Sequence, residues 1–136
     1  MAIGSKRMNP IYAKTRFRGG ISQTDRPNTF AILTAFATTG EVWSEERNRD
    51  ANAKLQRSLE SISCWMIDAT GYSPEDGHAE PGWAAGIPLD IALQIGREFL
   101  QDAIFWVADG ELFVVGCAAG SQPWSLGEFE ARLDRA

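Results

Sequence analysis

The chain is poor in the residues from which most active sites and metal centres are built. It has one histidine, His78, and two cysteines, Cys64 and Cys117. A disulfide framework needs several cysteines, and a structural zinc site needs Cys and His at short spacings, so no metal or other cofactor is expected. Both cysteines lie in apolar runs and read as buried thiols. No stretch approaches the roughly 18 apolar residues of a membrane span. Met1–Pro10 is polar and basic and lacks the apolar segment of a secretory leader, which makes a cytoplasmic location the expectation. The phosphate loop Gly-x-x-x-x-Gly-Lys-Ser/Thr, the dinucleotide fingerprint Gly-x-Gly-x-x-Gly, the metalloprotease His-Glu-x-x-His and the nucleophile elbow Gly-x-Ser-x-Gly are all missing.

What is present is an ordinary globular balance, 44% hydrophobic and 23% charged over 136 residues. That length fits a single domain, 1–136, with residues 1–10 as a loose arm. The charge is divided along the chain. Residues 1–57 carry 10 basic and 5 acidic side chains, and residues 58–136 carry 3 basic and 13 acidic ones, so +5 is followed by −10. A mixed surface is the plain reading of this division, and opposed poles that steer charged partners are the other.

Patterning predicts a β-β-α-β-β-α-β-β-α order. Tyr12–Arg18 reads as a short or edge strand ended by Gly19-Gly20. Thr29–Phe36 is nearly continuously apolar, as a strand covered on both faces should be. Ser44 caps a helix over 44–62, with Glu45 and Glu46 in its first turn and Ala51, Leu55, Leu59 and Ile62 as its apolar stripe. Cys64–Ala69 and Trp83–Ile87 read as strands. Pro88 opens a helix over 88–100. Two β-rich runs around Asp109-Gly110 make a hairpin, because that turn requires positive φ at both central residues. Trp124–Arg135 has a weak helical pattern through Leu126, Phe129 and Leu133. The fold class is therefore α+β: an antiparallel or mixed sheet of four to six strands with two main helices packed on it.

Three groups of residues are candidates for function. Asn48 and Asn52 extend the apolar stripe of the first helix with amides, which must be hydrogen-bonded if buried. They tie down the Thr38-Thr39-Gly40 loop or a strand end, or else line a polar cleft with Thr34, Glu80, Gln101 and Asp102. Lys14, Arg16 and Arg18 would share one face of a strand, either as solvated edge protection or as a contact for phosphate or an acidic protein. Trp43 and Trp124 flank helices as staples or interface anchors. His78 reads as an exposed loop residue.

Asn9-Pro10-Ile11-Tyr12, Phe30-Ala31-Ile32-Leu33-Thr34-Ala35-Phe36, Ser44-Glu45-Glu46-Arg47-Asn48 with Asn52, Glu80-Pro81-Gly82-Trp83 and Gln101-Asp102-Ala103-Ile104-Phe105-Trp106 follow one another in an order that resembles the bacterial family called domain of unknown function 3293. The likeness covers about residues 9–115. Where such families show asparagine-proline after the first long strand, this chain has Ala37-Thr38. The resemblance implies a compact bacterial cytoplasmic domain and brings no catalytic residue with it. Two functions are expected from different classes. The first is a binding or regulatory domain acting through another protein, for instance an inhibitor of a nucleic-acid-binding machine. The second is an enzyme acting on a nucleotide or other small polar substrate in the cleft at the strand ends. Weak nucleic-acid binding through the basic strand is a third possibility, and no membrane partner is expected.

Overall fold

The structure, a computed structural model, describes residues 10–37, 41–63 and 65–134. The arm expected at 1–10 (Pro10 aside), the Thr38-Thr39-Gly40 turn and the burial of Cys64 lie outside the described residues. A 3-10 turn at Pro10–Lys14 leads into β1 (Arg16–Arg18), and β2 (Thr29–Thr34) precedes α1 (Glu45–Glu60). A hairpin of β3 (Met66–Tyr72) and β4 (Ala79–Ala85) leads to α2 (Leu89–Glu98). Three strands follow, β5 (Ala103–Ala108), β6 (Glu111–Gly116) and β7 (Trp124–Glu128). All seven strands form one antiparallel sheet in the order β1-β3-β4-β2-β5-β6-β7.

Strand β2 is central and is buried on both faces, as its apolar run requires. Ala31 and Leu33 face the helices, together with Ala85, Ile104 and Val115. Phe30 and Ile32 face the opposite core, with Phe17, Ala84, Val107 and Phe129. Helix α1 packs over β4, and α2 packs over β2 and β5. Leu55 and Leu59 of α1 are fully buried in the helix-side core, each contributing about 1.5–3 kcal/mol of burial. Ile62, expected on the same stripe, is 50% exposed because the helix stops at Glu60. Ser44 accepts from the Arg47 amide as an N-cap should. Pro88 is the cap of α2 rather than its first residue, its carbonyl accepting from the Ala92 amide. In the β5–β6 hairpin, Asp109 and Gly110 take φ of 50° and 86°, as the turn demands.

The two expected main helices pack on the sheet, but it has seven strands rather than four to six. The element expected as a third helix, Trp124–Arg135, is β7 followed by a 3-10 turn at Glu130–Arg132. Trp124 and Ser125 pair with Val114 and Phe113, and Gly127 pairs with Leu112, so Leu126 is an extra, bulged residue. Gly127 sits at φ 85° next to that bulge, a conformation no helix accommodates. The spacing of Leu126, Phe129 and Leu133 thus serves a bulge and a tight turn that fold over the end of the sheet. The strand expected at Trp83–Ile87 begins earlier, at Ala79, because β4 pairs with β3 along its whole length.

The sheet curls until its first strand meets the segment after its last. Phe17 bridges Leu133 in parallel, and the Asp134 amide donates to the Phe17 carbonyl at 2.9 Å. Two guanidiniums also cross the seam: Arg132 donates to the carbonyls of Ala13, Thr15 and Leu126 at 2.7, 3.2 and 3.0 Å, and Arg16 of β1 donates to the Ala131 and Leu133 carbonyls, each at 3.2 Å.

Candidate functional site

The exit of β2, the first half of α1 and the end of α2 meet at one place. There a single peptide unit is held at both poles. Asn48 Oδ1 accepts from the Ala37 amide at 3.0 Å, and Gln101 Nε2 donates to the Phe36 carbonyl at 2.9 Å. Gln101 Nε2 also donates to the Phe99 carbonyl at 3.0 Å. The partners fix both amide orientations, since an N–H requires the oxygen and a carbonyl requires the nitrogen. Thr34 adds a third tie, its hydroxyl accepting from the Phe36 amide at 3.0 Å.

Next to this clamp α2 ends in a Schellman motif. The Leu100 amide donates to Arg97 O at 3.1 Å and the Gln101 amide to Gly96 O at 2.9 Å. The residue in the left-handed position is Leu100, at φ 61°, where glycine or asparagine is usual. Its side chain gains no burial in return, being 55% exposed.

Between the two helices lies a groove of about 450 Å³. Ala35, Trp43, Ala51, Phe99 and Leu100 supply its apolar lining, and Glu46, Asp50 and Lys54 line its α1 wall, with Glu98 at the end of α2. Trp43 makes two contacts in this lining. Its indole N–H donates to Glu41 at 2.9 Å, and the Arg47 guanidinium carbon lies 3.8 Å from the ring centroid. Val42, immediately before it, is 96% exposed.

The six residues expected around a polar cleft divide. Thr34, Asn48 and Gln101 converge on the Phe36–Ala37 backbone. Asn52 points under α1, where its Oδ1 is buried with no hydrogen-bond partner among the described residues, as is the Trp83 indole N–H. Glu80 reaches His78 Nε2 at 2.9 Å instead of the clamp, and the His78 ring stands edge-on to Phe36. The Asp102 side chain is exposed, and only its carbonyl is engaged, by the Cys117 amide. None of the six lines the groove itself.

The basic residues are engaged individually. Lys14 belongs to the 3-10 turn rather than to the strand, so it does not share the face of Arg16 and Arg18, and it pairs with Glu75 at 2.7 Å. Arg16 pairs with Asp134 at 3.0 Å and donates to the carbonyls of Ala131 and Leu133. Arg18 lies over the Tyr72 ring. The Gly20 amide donates to the chain's own Asp68 carboxylate, and a Cβ there would stand 2.6 Å from Asp68 Oδ1. Trp124, 37% exposed, opens the edge strand β7 and does not flank a helix as expected, whereas Trp43 precedes α1. Burial pushes the Cys117 thiol up to about 11, which removes it as a nucleophile near neutral pH. Among the described residues no three His, Cys, Asp or Glu side chains are grouped to hold a metal, and no helix is long and apolar enough to cross a membrane.

Sequence reasoning located Trp43, Asn48 and Gln101 but missed Ala37, Phe99 and Leu100. The one available signal was a helix end without glycine, where an apolar residue had to take the left-handed turn.

A family model described as protein of unknown function (DUF3293) matches residues 33–104. The matched stretch runs from β2 into β5 and contains the clamp and all of the groove lining. It is shorter than the 9–115 likeness read from the sequence. No curated protein and no solved structure matches the chain.

Proposed function

The chain belongs to the DUF3293 family of proteins of unknown function, and from that premise we propose that it is a binding and regulatory domain acting through contacts with another protein. The docking surface is the groove between α1 and the end of α2. One observation carries this reading. Leu100 occupies a left-handed position that costs an L-residue roughly 1–2 kcal/mol, and it leaves its side chain half in water at the groove's edge. A strained, exposed aliphatic residue is poor for folding and useful for docking. Trp43 lines the groove from just before α1, with the exposed Val42 next to it in sequence, and an indole is a low-entropy anchor.

The enzyme reading has less support. Its six polar residues share no cavity among those described, and three of them are spent on backbone groups of residues 36 and 37.

Affinity purification of the full chain from its native cell tests the proposal, run beside Val42→Asp and Leu100→Asp. Aspartate tolerates both an exposed position and positive φ, so both variants are expected to fold. A stoichiometric protein partner kept by the wild type and lost from both variants supports the proposal. Recovery of the chain alone, or a partner retained equally by both variants, overturns it.

A further inference from the structure

We infer that the groove takes an arginine-bearing aliphatic segment of its partner, an inference that rests on the docking role proposed above. The chain itself displays the chemistry. Its own Arg47 guanidinium lies 3.8 Å from the Trp43 centroid, while Glu41 accepts from the indole N–H. A guanidinium is planar and weakly hydrated, so it stacks on an aromatic face where an ammonium is held less well.

Acidic side chains in the groove lining, three of them, outnumber the two basic ones, Arg47 and Lys54. Glu46 and Asp50 stand one turn apart on α1, and Glu98 lies on the α2 side. Neighbours four apart on a helix lie about 5–6 Å from each other, so Glu46 and Asp50 form one acidic edge on the α1 side of the groove. Glu41 adds a further carboxylate at the indole. Lys54 lies a turn beyond Asp50, at the far end of the wall, and the only other lining cation is Arg47, which is already stacked. Ala35, Ala51 and Phe99 bring no polar side-chain atom to the lining and suit aliphatic side chains. An incoming arginine therefore competes with Arg47 for the indole or stacks beside it, and Arg47 acts as an internal placeholder.

The test is an NMR titration of the full 15N-labelled chain, following the Trp43 indole resonance identified by Trp43→Phe. The probes are three synthetic peptides sharing a leucine-rich frame with a central arginine, citrulline or glutamate. The arginine peptide is expected to shift the Trp43 indole and to bind at least about fivefold more tightly than the citrulline twin, the scale of a partly desolvated cation–π contact. Arg47→Ala is expected to tighten the arginine peptide a further two- to fivefold or so by vacating the ring. Equal binding of all three peptides at the groove overturns the arginine assignment and leaves the docking role standing. No shift at Trp43, Leu100 or Val42 at millimolar peptide overturns both. Self-association of the chain through the same resonances would assign the groove to a second copy and overturn the inference.

Discussion

Asn48 and Gln101 hold opposite poles of the same peptide unit, one accepting from the Ala37 N–H and the other donating to the Phe36 C=O. In a trans peptide those poles point apart, so the two amides approach from different sides. One comes from α1 and the other from the link between α2 and β5. Three elements that form the groove are thereby pinned at a point one residue away from its lining: Ala35 precedes Phe36, Arg47 precedes Asn48, and Leu100 precedes Gln101. The clamp sets the geometry of the surface above it.

That polarity makes the clamp testable by isosteres. Asn48→Asp keeps the accepting oxygen and is expected to change stability little. Asn48→Ala leaves a half-buried amide unpaired and is expected to cost about 1–3 kcal/mol. At Gln101 the order reverses, because Gln101→Glu aims a carboxylate at the Phe36 and Phe99 carbonyls and should be worse than Gln101→Ala. Urea unfolding midpoints of the four variants decide it. Equal losses at Asn48→Asp and Asn48→Ala would show that the Ala37 contact contributes nothing.

Leu100 should show stability and binding moving in opposite directions. Leu100→Gly removes the left-handed penalty in the Schellman motif and is expected to stabilise the chain by roughly 1 kcal/mol. The same change removes an apolar contact from the groove and is expected to weaken the arginine peptide at Trp43. Thermal unfolding and the peptide titration measure the two effects. A destabilised Leu100→Gly variant would mean that the side chain is held by packing and is not offered to a partner.

The parts of this architecture that are legible in the sequence are those decided locally. Ser44 with Glu45 and Glu46 marks a helix start wherever it occurs, and Asp109-Gly110 between β-rich runs leaves few alternatives to a hairpin. The both-sided burial of β2 follows from a run too apolar to expose either face. The C-terminal segment misleads because Leu126, Phe129 and Leu133 have a helical spacing, and only long-range pairing of Trp124 with Val114 reveals a bulged strand. The same limit applies to the site. A helical wheel puts Asn48 beside the apolar stripe, but its partner is a backbone amide in a different element. The cation–aromatic pair of Trp43 and Arg47 depends on how the chain enters α1 after Val42. Leu100 reads in the sequence as the last residue of a helix, and its left-handed turn is set by where Gln101 must reach.

Acid sensitivity should trace in part to Asp134. The Tyr72 hydroxyl that donates to its carboxylate, and then the Arg16 guanidinium, hold this carboxyl below the ordinary aspartate range. A carboxyl depressed in the folded state contributes stability that is complete above the unfolded value of about 3.9 and is lost as pH falls through the lower folded value. Wild-type stability is therefore expected to fall below about pH 4, and Tyr72→Phe should flatten that fall. Asp76 is also depressed, mainly by the His78 amide, so the comparison that isolates Asp134 is wild type against Asp134→Asn. Urea midpoints between about pH 2 and 6 measure it, and identical acid slopes in wild type and Asp134→Asn would remove Asp134 from the account.

Arg132 gives a single-substitution test of how the curled sheet closes. Its guanidinium is the described link from the β7 bulge at Leu126 to the Ala13 and Thr15 carbonyls ahead of β1. Burial and the nearby Arg16 charge both oppose its protonation, so it is held there by the three carbonyls rather than by a carboxylate. Arg132→Met keeps most of the aliphatic stem and removes every donor. Since hydrogen bonds from a charged group contribute about 1.5–3 kcal/mol, the loss is expected to reach at least that of one such bond. Hydrogen exchange distinguishes the seam from global unfolding: protection should fall first at the Asp134 amide, which donates to Phe17, while the Phe105 amide in the central β5 stays protected. Uniform loss across both would mean that the seam opens only when the whole sheet does, and that Arg132 contributes to the core as a unit rather than to its closure.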